Sequence, residues 1–428
     1  MLIIADDLSG AADCAVACVS HGLHAVVALG DEGVEVDADV LAVDGDTRRL
    51  RPEQAAHETA RLLRKHCGDG TVLLYRKFDS TLRGHVGAEL ARTIELRRAM
   101  HPADGRIVAV FAPAFPAAGR TTIDGRQLLH GRPLKETAIA QFEDAAVNSD
   151  LCELMEKAHL RSALIDLLLL RGDGEALRNS MKALAKDVDV LVCDAETDED
   201  LRIAAEASMI LGPSTVWAGS AGLARFLPRA AGLTGKIVDL GRRSFAAQPA
   251  LFVVGSGSRI SLEQAELLIA RSDTIGLRIP PEILLAGNQS LEWREHRLKI
   301  QSALSQARDL VVLPEEGPRL DRRMGSTHAA ALAELVRPFA GAVGSLVATG
   351  GETARAVFDA WGISRLHIVG EVEPGLPFSL TSGWNREIPV LTKAGGFGSP
   401  ETFLRCREFL SGLEQGVASA SGPRKGHK

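Results

Sequence analysis

Two α/β lobes with mainly parallel sheets and a cleft between them are the fold that this sequence predicts, on three observations. Short apolar runs alternate with amphipathic stretches, the rhythm breaks once near residue 240, and loops rich in Gly, Ser and Thr follow several of the runs. Such alternation marks βαβ units. In the first lobe strands are expected at Leu2 to Ile4, Ala25 to Leu29, Val40 to Val43, Val72 to Tyr75, Ile107 to Phe111, Ala163 to Leu168 and Val188 to Cys193. Helices are expected at Ala11 to Ser20, Pro52 to His66, from Gly87 onward, and at Glu175 to Lys186. Pro228 to Pro249 carries Gly232, Gly235 and Gly241 with little periodicity, so the domains are set at 1–240 and 241–428. The rhythm resumes with strands at Leu251 to Val254, Thr274 to Ile279, Leu310 to Leu313, Ser345 to Ala348 and His367 to Val369, and with helices at Ser261 to Arg271 and Thr327 to Phe339. Ser419 to Lys428 read as a frayed tail.

Composition narrows the function. The 428 residues carry 49 Lys and Arg against 55 Asp and Glu, and the net charge of −6 gives no general attraction to a polyanion. With 4 % aromatic residues there is little material for stacking bases, and nucleic acid is not expected as a partner. Six cysteines without a CxxC pair exclude a disulfide scaffold or zinc-ribbon pattern, and Cys14 and Cys18 read as buried small residues on one helix. The amino terminus has no basic leader and no apolar run reaches membrane-spanning length, so a cytoplasmic location is expected.

The chemistry lies at predicted strand ends, where open α/β sheets bind their ligands. "MLIIADDLSG" sets Asp6 and Asp7 at the end of the first strand; if the strand continues through them, their side chains point to opposite faces. "YRKFDSTLRG" gathers Lys77, Asp79, Ser80, Thr81 and Arg83 after another strand, a set suited to a small polyhydroxylated anion. "FAPAFPAAGRTTIDG" stops a strand at Pro113 and Pro116 and is expected to carry Arg120, Thr121 and Thr122 in a loop lining the same cleft.

Three glycine loops stand in the second lobe: "VVGSGSRIS" with Ser256 and Ser258, "ATGGETARA" with Gly350, Gly351, Glu352 and Thr353, and "LTKAGGFGS" with Lys393, Gly395 and Gly396. Parallel strands put all three on one rim, where backbone N–H groups can converge on a triphosphate. The first loop has Ile260 where a dinucleotide fingerprint needs its third glycine, and no acidic residue follows Ile279 and Pro280, which disfavours a dehydrogenase. Gly235 and Lys236 are followed by Ile237, and Ala230 occupies the place of the P-loop's first glycine. His85, His130 and His367 stand apart from one another and read as local hydrogen-bonding groups.

Taken together, "IADDLSGAADCA", "KFDSTLRG", "APAFPAAGRTTIDG", "ATGGETARAVF" and "KAGGFGSPETF" resemble the four-carbon acid sugar kinase family, in order and over nearly the whole chain. The resemblance implies an amino-terminal substrate domain, a carboxy-terminal nucleotide domain, and ATP-dependent phosphorylation of the terminal hydroxyl of D-threonate, D-erythronate or a 3-oxo-tetronate. The Lys-x-Asp-Ser-Thr-Leu-Arg-Gly form at 77–84 looks more like the threonate or erythronate branch. Carried over by position, it implies ATP contacts from Ser256 or Ser258, from Gly350, Gly351, Glu352 and Thr353, and from Gly395 or Gly396. It implies sugar-acid contacts from Asp6, Asp7, Lys77, Asp79 and Arg83.

The mechanism expected has Mg²⁺ bridging the β and γ phosphates, Arg83 and Lys77 gripping the substrate carboxylate, and a carboxylate taking the hydroxyl proton. Asp7 is the first choice for that base, Asp79 the second, and Asp6 orients the sugar or a metal-bound water; Asp7 could instead only cap its helix. A homodimer is among the expected assemblies. A non-catalytic sensor of sugar acid and nucleotide is the alternative from another class, and the dense acidic and basic cluster of the first lobe counts against it.

Overall fold

The computed structural model describes all residues except 31–36, 69, 138–148, 236–244, 272, 316–324, 383 and 415–428. The linker centred on residue 240 and the expected tail at 419–428 therefore lie wholly or partly outside the described residues. Two compact units divide the chain, one of residues 1–25 and 33–237, the other of 26–32 and 238–428.

Strands run β1 (Leu2–Ala5), β2 (Ala25–Leu29), β3 (Val40–Asp44), β4 (Leu74–Lys77), β5 (Ala109–Ala112), β6 (Arg120–Ile123), β7 (Arg126–Leu129), β8 (Arg132–Pro133), β9 (Ser162–Ile165), β10 (Val190–Cys193), β11 (Val216–Gly219), β12 (Ala250–Val254), β13 (Thr274–Ile279), β14 (Asp309–Pro314), β15 (Ser345–Thr349), β16 (Arg365–Glu371), β17 (Pro377–Ser382) and β18 (Pro389–Lys393).

The first unit is a parallel sheet in the order β3-β1-β4-β11-β5-β10-β9. Its central strands are apolar and mostly buried on both faces, as helix-covered parallel strands must be. The chain leaves β1 to one side for β3 and then crosses to β4 on the other, so the strand order reverses at β1. The second unit runs β13-β14-β12-β15-β18 in parallel, with β17 antiparallel between β18 and β16. Its order reverses between β12 and β15. Phe252, Phe378 and Phe403 are buried in its core, the rings of Phe252 and Phe403 5.5 Å apart.

The structure departs from the sequence expectation in several places, among them the strand expected at Val72 to Tyr75, which lies at Leu74–Lys77, and β17, which was not expected. Arg120 to Thr122 are not in a loop but form β6, paired in register with β7 across Asp124 and Gly125. Both turn residues have positive φ, 50° and 70°, the geometry of a type I′ hairpin turn that an Asp-Gly pair favours. The run Ala163 to Leu168 is strand only to Ile165; Asp166 then caps a short helix by accepting from the Leu169 N–H at 2.8 Å. A strand at Val216–Gly219 lies between β4 and β5, where no element was expected. Cys14 and Cys18 are buried on the helix Leu8–Val19, where burial pushes the Cys18 thiol up to about 12. Among the described residues no helix is long and apolar enough to cross a membrane.

The hairpin turn is held by Asp194, which follows β10 and accepts from the N–H groups of Asp124 at 2.8 Å and Gly125 at 2.9 Å. Burial raises the Asp194 carboxyl to about 6. Its protonated form therefore contributes stability that is present below the ordinary carboxylate range and is lost as pH rises toward about 6. An Asp194→Asn protein lacks that titration. The gap in melting temperature between the two proteins should shift in favour of the variant between pH 4 and 6.5, and parallel profiles would refute the assignment.

Candidate functional site

In the first unit the register places the residues. Ala5 ends β1 level with Asp44 of β3 and Lys77 of β4, so the loops after all three strands leave the sheet together. Asp6 accepts through its carbonyl from the N–H groups of Thr47 at 3.0 Å and Arg48 at 3.3 Å, which folds the loop after β3 over the end of β1. Arg48, which sequence reasoning missed, then bridges both carboxylates: Nε and Nη2 fork onto Asp6 at 2.8 and 3.1 Å, and Nη1 donates to Asp7 at 2.7 Å. The condition for opposite faces, a strand continuing through the pair, is not met: the strand stops at Ala5, and both side chains turn to one guanidinium.

Asp7 is also the cap of the helix Leu8–Val19, its Oδ1 accepting from the Gly10 N–H at 2.9 Å. Gly10 is required there. A Cβ on it would lie 2.3 Å from Lys77 Nζ and 2.7 Å from Asp7 Oδ1. Lys77 is thus buried beside the acidic pair. Burial works against its charge, but Asp6 and then Asp7 overcome that and raise its pKa. Burial likewise opposes ionisation of Asp6, and Arg48 and Lys77 hold its carboxyl below the usual range.

Asp79 takes the Thr81 hydroxyl and the forked edge of Arg83, with Nε at 2.6 Å and Nη2 at 3.1 Å. Against its burial, Arg83 and Arg48 hold its carboxyl well below the ordinary value. The guanidinium expected to grip substrate is therefore engaged with Asp79. Side-chain exposure separates the three carboxylates, at 0 % for Asp6, 13 % for Asp79 and 20 % for Asp7. Asp7 is the most accessible. Underneath, Arg76 is fully buried, pairs with Glu89 and donates to the Ile4 carbonyl at 2.6 Å, tying β4 to β1 and to the helix Val86–Met100.

In the second unit Val254 of β12, Thr349 of β15 and Lys393 of β18 stand level in register, and the three glycine loops start from them. They approach one another closely at Gly255 and Gly395. A Cβ on Gly255 would lie 2.0 Å from Thr353 Oγ1, and one on Gly395 would lie 2.1 Å from Ser256 Oγ. Gly350 has φ 95° and donates its N–H to the Lys393 carbonyl at 2.8 Å, after which Gly351, Glu352 and Thr353 open the helix Gly351–Trp361. First-turn N–H groups have no partner within a helix.

The two serines and the lysine of these loops differ in what holds them. Ser258 caps the helix Arg259–Ile269, and its hydroxyl donates to the Gly395 carbonyl at 2.5 Å, whereas among the described residues the Ser256 hydroxyl makes one hydrogen bond, as acceptor from the Ser258 N–H at 3.3 Å. Lys393 does not face outward. Its Nζ is bonded to the carbonyls of Ala394, Gly395 and Phe397 at 3.0 to 3.1 Å, and burial lowers its pKa to about 8. Because a trans peptide sets N–H opposite C=O, drawing those carbonyls inward turns the N–H groups of Gly395, Gly396 and Gly398 the other way. A Cβ on Gly396 would meet nothing within 4 Å.

Beside these loops a cavity of about 870 Å³ is lined by Arg259, Leu262, Leu313, Pro314, Glu315 and Pro400, at the carboxyl end of β14. Among the described residues no group of three or more His, Cys, Asp or Glu side chains could hold a metal ion.

A model of a sugar-binding amino-terminal domain matches residues 1–227 and a model of a nucleotide-binding carboxy-terminal domain matches 251–403. A D-threonate kinase of Cupriavidus necator is 40 % identical over 415 residues, covering 93 % of this chain and 95 % of that protein. The chain belongs to the four-carbon acid sugar kinase family. A more distant member, a 3-oxo-tetronate kinase of Pseudomonas fluorescens, is 27 % identical over 96 % of this chain and 96 % of its own. The crystal structure of a Salmonella typhimurium protein, provisionally described as a tRNA synthase, has the same fold, with a TM-score of 0.79 at 22 % identity over 95 % of this chain and 98 % of that one.

Replacing Arg48 by Met removes the forked partner of buried Asp6 and leaves Lys77 to offset its charge, which should cost about 3 kcal/mol in denaturant unfolding. The double variant Asp6→Asn with Arg48→Met should recover part of that loss. Additive losses would mean that the pair is not coupled.

Proposed function

We propose that this chain is an ATP-dependent kinase that phosphorylates the terminal hydroxyl of D-threonate, giving 4-phospho-D-threonate. The observation that carries the proposal is the 40 % identity, over nearly the full length of both chains, to a protein named as a D-threonate kinase. The acceptor belongs to residues 1–240 and the donor to 241–428.

The geometry of each unit supports these roles. In the second unit the N–H groups of Gly351, Glu352 and Thr353, those of Gly395 and Gly396, and the Ser256 hydroxyl hold the phosphate oxygens, with MgATP as the form bound. Base and ribose occupy the neighbouring cavity, whose 870 Å³ is within the span of small-molecule sites. Glu315 stands at the end of β14 to accept from ribose hydroxyls, the service an acidic residue at a strand end gives in dinucleotide folds. The donor set on the protein side is backbone N–H and hydroxyl. It suits Mg²⁺ held mainly by phosphate oxygens and water, the usual state of this ion.

Phosphoryl transfer needs alignment and charge neutralisation more than covalent help from the protein. In the first unit Asp7 is the base: it is the most accessible of the three carboxylates, and each of its oxygens keeps a lone pair after its bonds to Gly10 and Arg48. Lys77, buried beside it, offsets the negative charge that gathers as the hydroxyl attacks.

ADP release should be scored with D-threonate, D-erythronate, L-threonate and a 3-oxo-tetronate. Turnover is expected to be greatest on D-threonate and slow without any acid; brisk hydrolysis of ATP alone would contradict a sequestered transfer. Asp7→Asn should lower kcat by about 10²–10⁴ with little change in KM for ATP. Gly396→Ala should leave the melting temperature intact, since its Cβ enters open space, and yet raise KM for ATP by about tenfold. An unchanged KM would remove Gly396 from the phosphate site.

A further inference from the structure

Arg83 is turned to Asp79 and Arg48 to Asp6 and Asp7, which leaves open what receives a carboxylate in the first unit. Arg120 does neither. It lies on β6, where Thr122, two residues on, shares its face. Thr122 donates to Gln127 Oε1 at 2.6 Å, and Gln127 Nε2 donates to the Ser80 carbonyl at 2.8 Å, so this face of the hairpin is docked on the loop that carries Asp79 and Arg83. The backbone at Arg120 is fixed by two hydrogen bonds to Phe115, at 2.7 and 3.1 Å.

The guanidinium itself is undersatisfied. Nη1 donates to the Ala118 carbonyl, while Nε is buried without a partner. Among the described residues neither Nε nor Nη2 has a hydrogen-bond partner, so the side-on edge that forks onto a carboxylate is unpaired. Asp79 and Arg83 are near enough for their charges to act on this guanidinium. Leaving such a donor unmade costs about 1–3 kcal/mol, a cost that a bound carboxylate removes.

Resting on the kinase reading, we infer that Arg120 binds the carboxylate of the sugar acid and sets the preference for an acid over the neutral polyol. Arg83 instead orients Asp79.

Three proteins decide it: Arg120→Met, Arg120→Lys and Arg83→Met, each first shown by its melting curve to be folded. Wild type on the acid panel tests the kinase reading alone. With the acid that wild type prefers, Arg120→Met should raise KM for the acid by about tenfold or more and keep KM for ATP within about twofold. It should also erase the preference for D-threonate over D-threitol, and Arg120→Lys should recover part of it by keeping the charge without the fork. An acid KM within about twofold of wild type in Arg120→Met, or loss of the acid preference in Arg83→Met alone, overturns the inference. If wild type turns over no acid, the decision passes to D-threonate raising the melting temperature of wild type and not of Arg120→Met; no shift in wild type, or equal shifts in both, overturns it.

Discussion

Three strand ends standing level is the constraint on which each unit's chemistry rests. In the first unit Ala5, Asp44 and Lys77 share one register row; in the second, Val254, Thr349 and Lys393 do. Only parallel pairing brings successive carboxyl ends to one rim, and a slip of one residue would send every later side chain to the other face. Arg48 reaches Asp6 and Asp7 because the loop after β3 starts beside the end of β1. Ser256 fits under Gly395 for the same reason, through two ladders instead of one.

Within that frame, buried charge shapes backbone and side chains more than it attracts ligand. Lys393 gathers three carbonyls inward, and the glycine loop presents its N–H groups as a consequence. Arg48 fixes two carboxylates in one plane of approach, and Arg76 with Glu89 ties the strand and helix beneath them. Each of these charges is paired or solvated by dipoles, which is what burial demands. Arg83, in the loop after β4, and Lys393, at the end of β18, are bonded in this protein to Asp79 and to the glycine loop's carbonyls.

The sheets were legible because strands buried on both faces are written as unbroken apolar runs, as in "LIIA" and "ALFVV". The same code misleads where an apolar run contains a cap: "ALIDLLL" is continuous in hydropathy, and only Asp166 marks the change from strand to helix. The β6–β7 hairpin carried its signal in Asp124-Gly125, which was outweighed by the prolines before it. Five glycine-loop and carboxylate motifs marked the places of both clusters, since the residues directly after a strand set the course of its loop. Arg48 was beyond reach. "DGDTRRL" offers two arginines with nothing local to distinguish them, and which one meets Asp6 depends on β3 returning beside β1, a contact 42 residues away in sequence.

The cap on the helix Leu8–Val19 bears on how Asp7 can act. A carboxylate that takes a helix N–H on one oxygen and a guanidinium N–H on the other has no freedom to rotate, so its remaining lone pairs point in fixed directions. In a loose phosphoryl transfer the acceptor oxygen gains little bonding before the leaving group departs, and its proton is lost late. Orientation of the hydroxyl then matters more than the strength of the base that receives its proton. Under the proposed kinase reading, the contacts that make Asp7 look structural are the ones that fit it to aim a hydroxyl, so a cap does not argue against a base at this position.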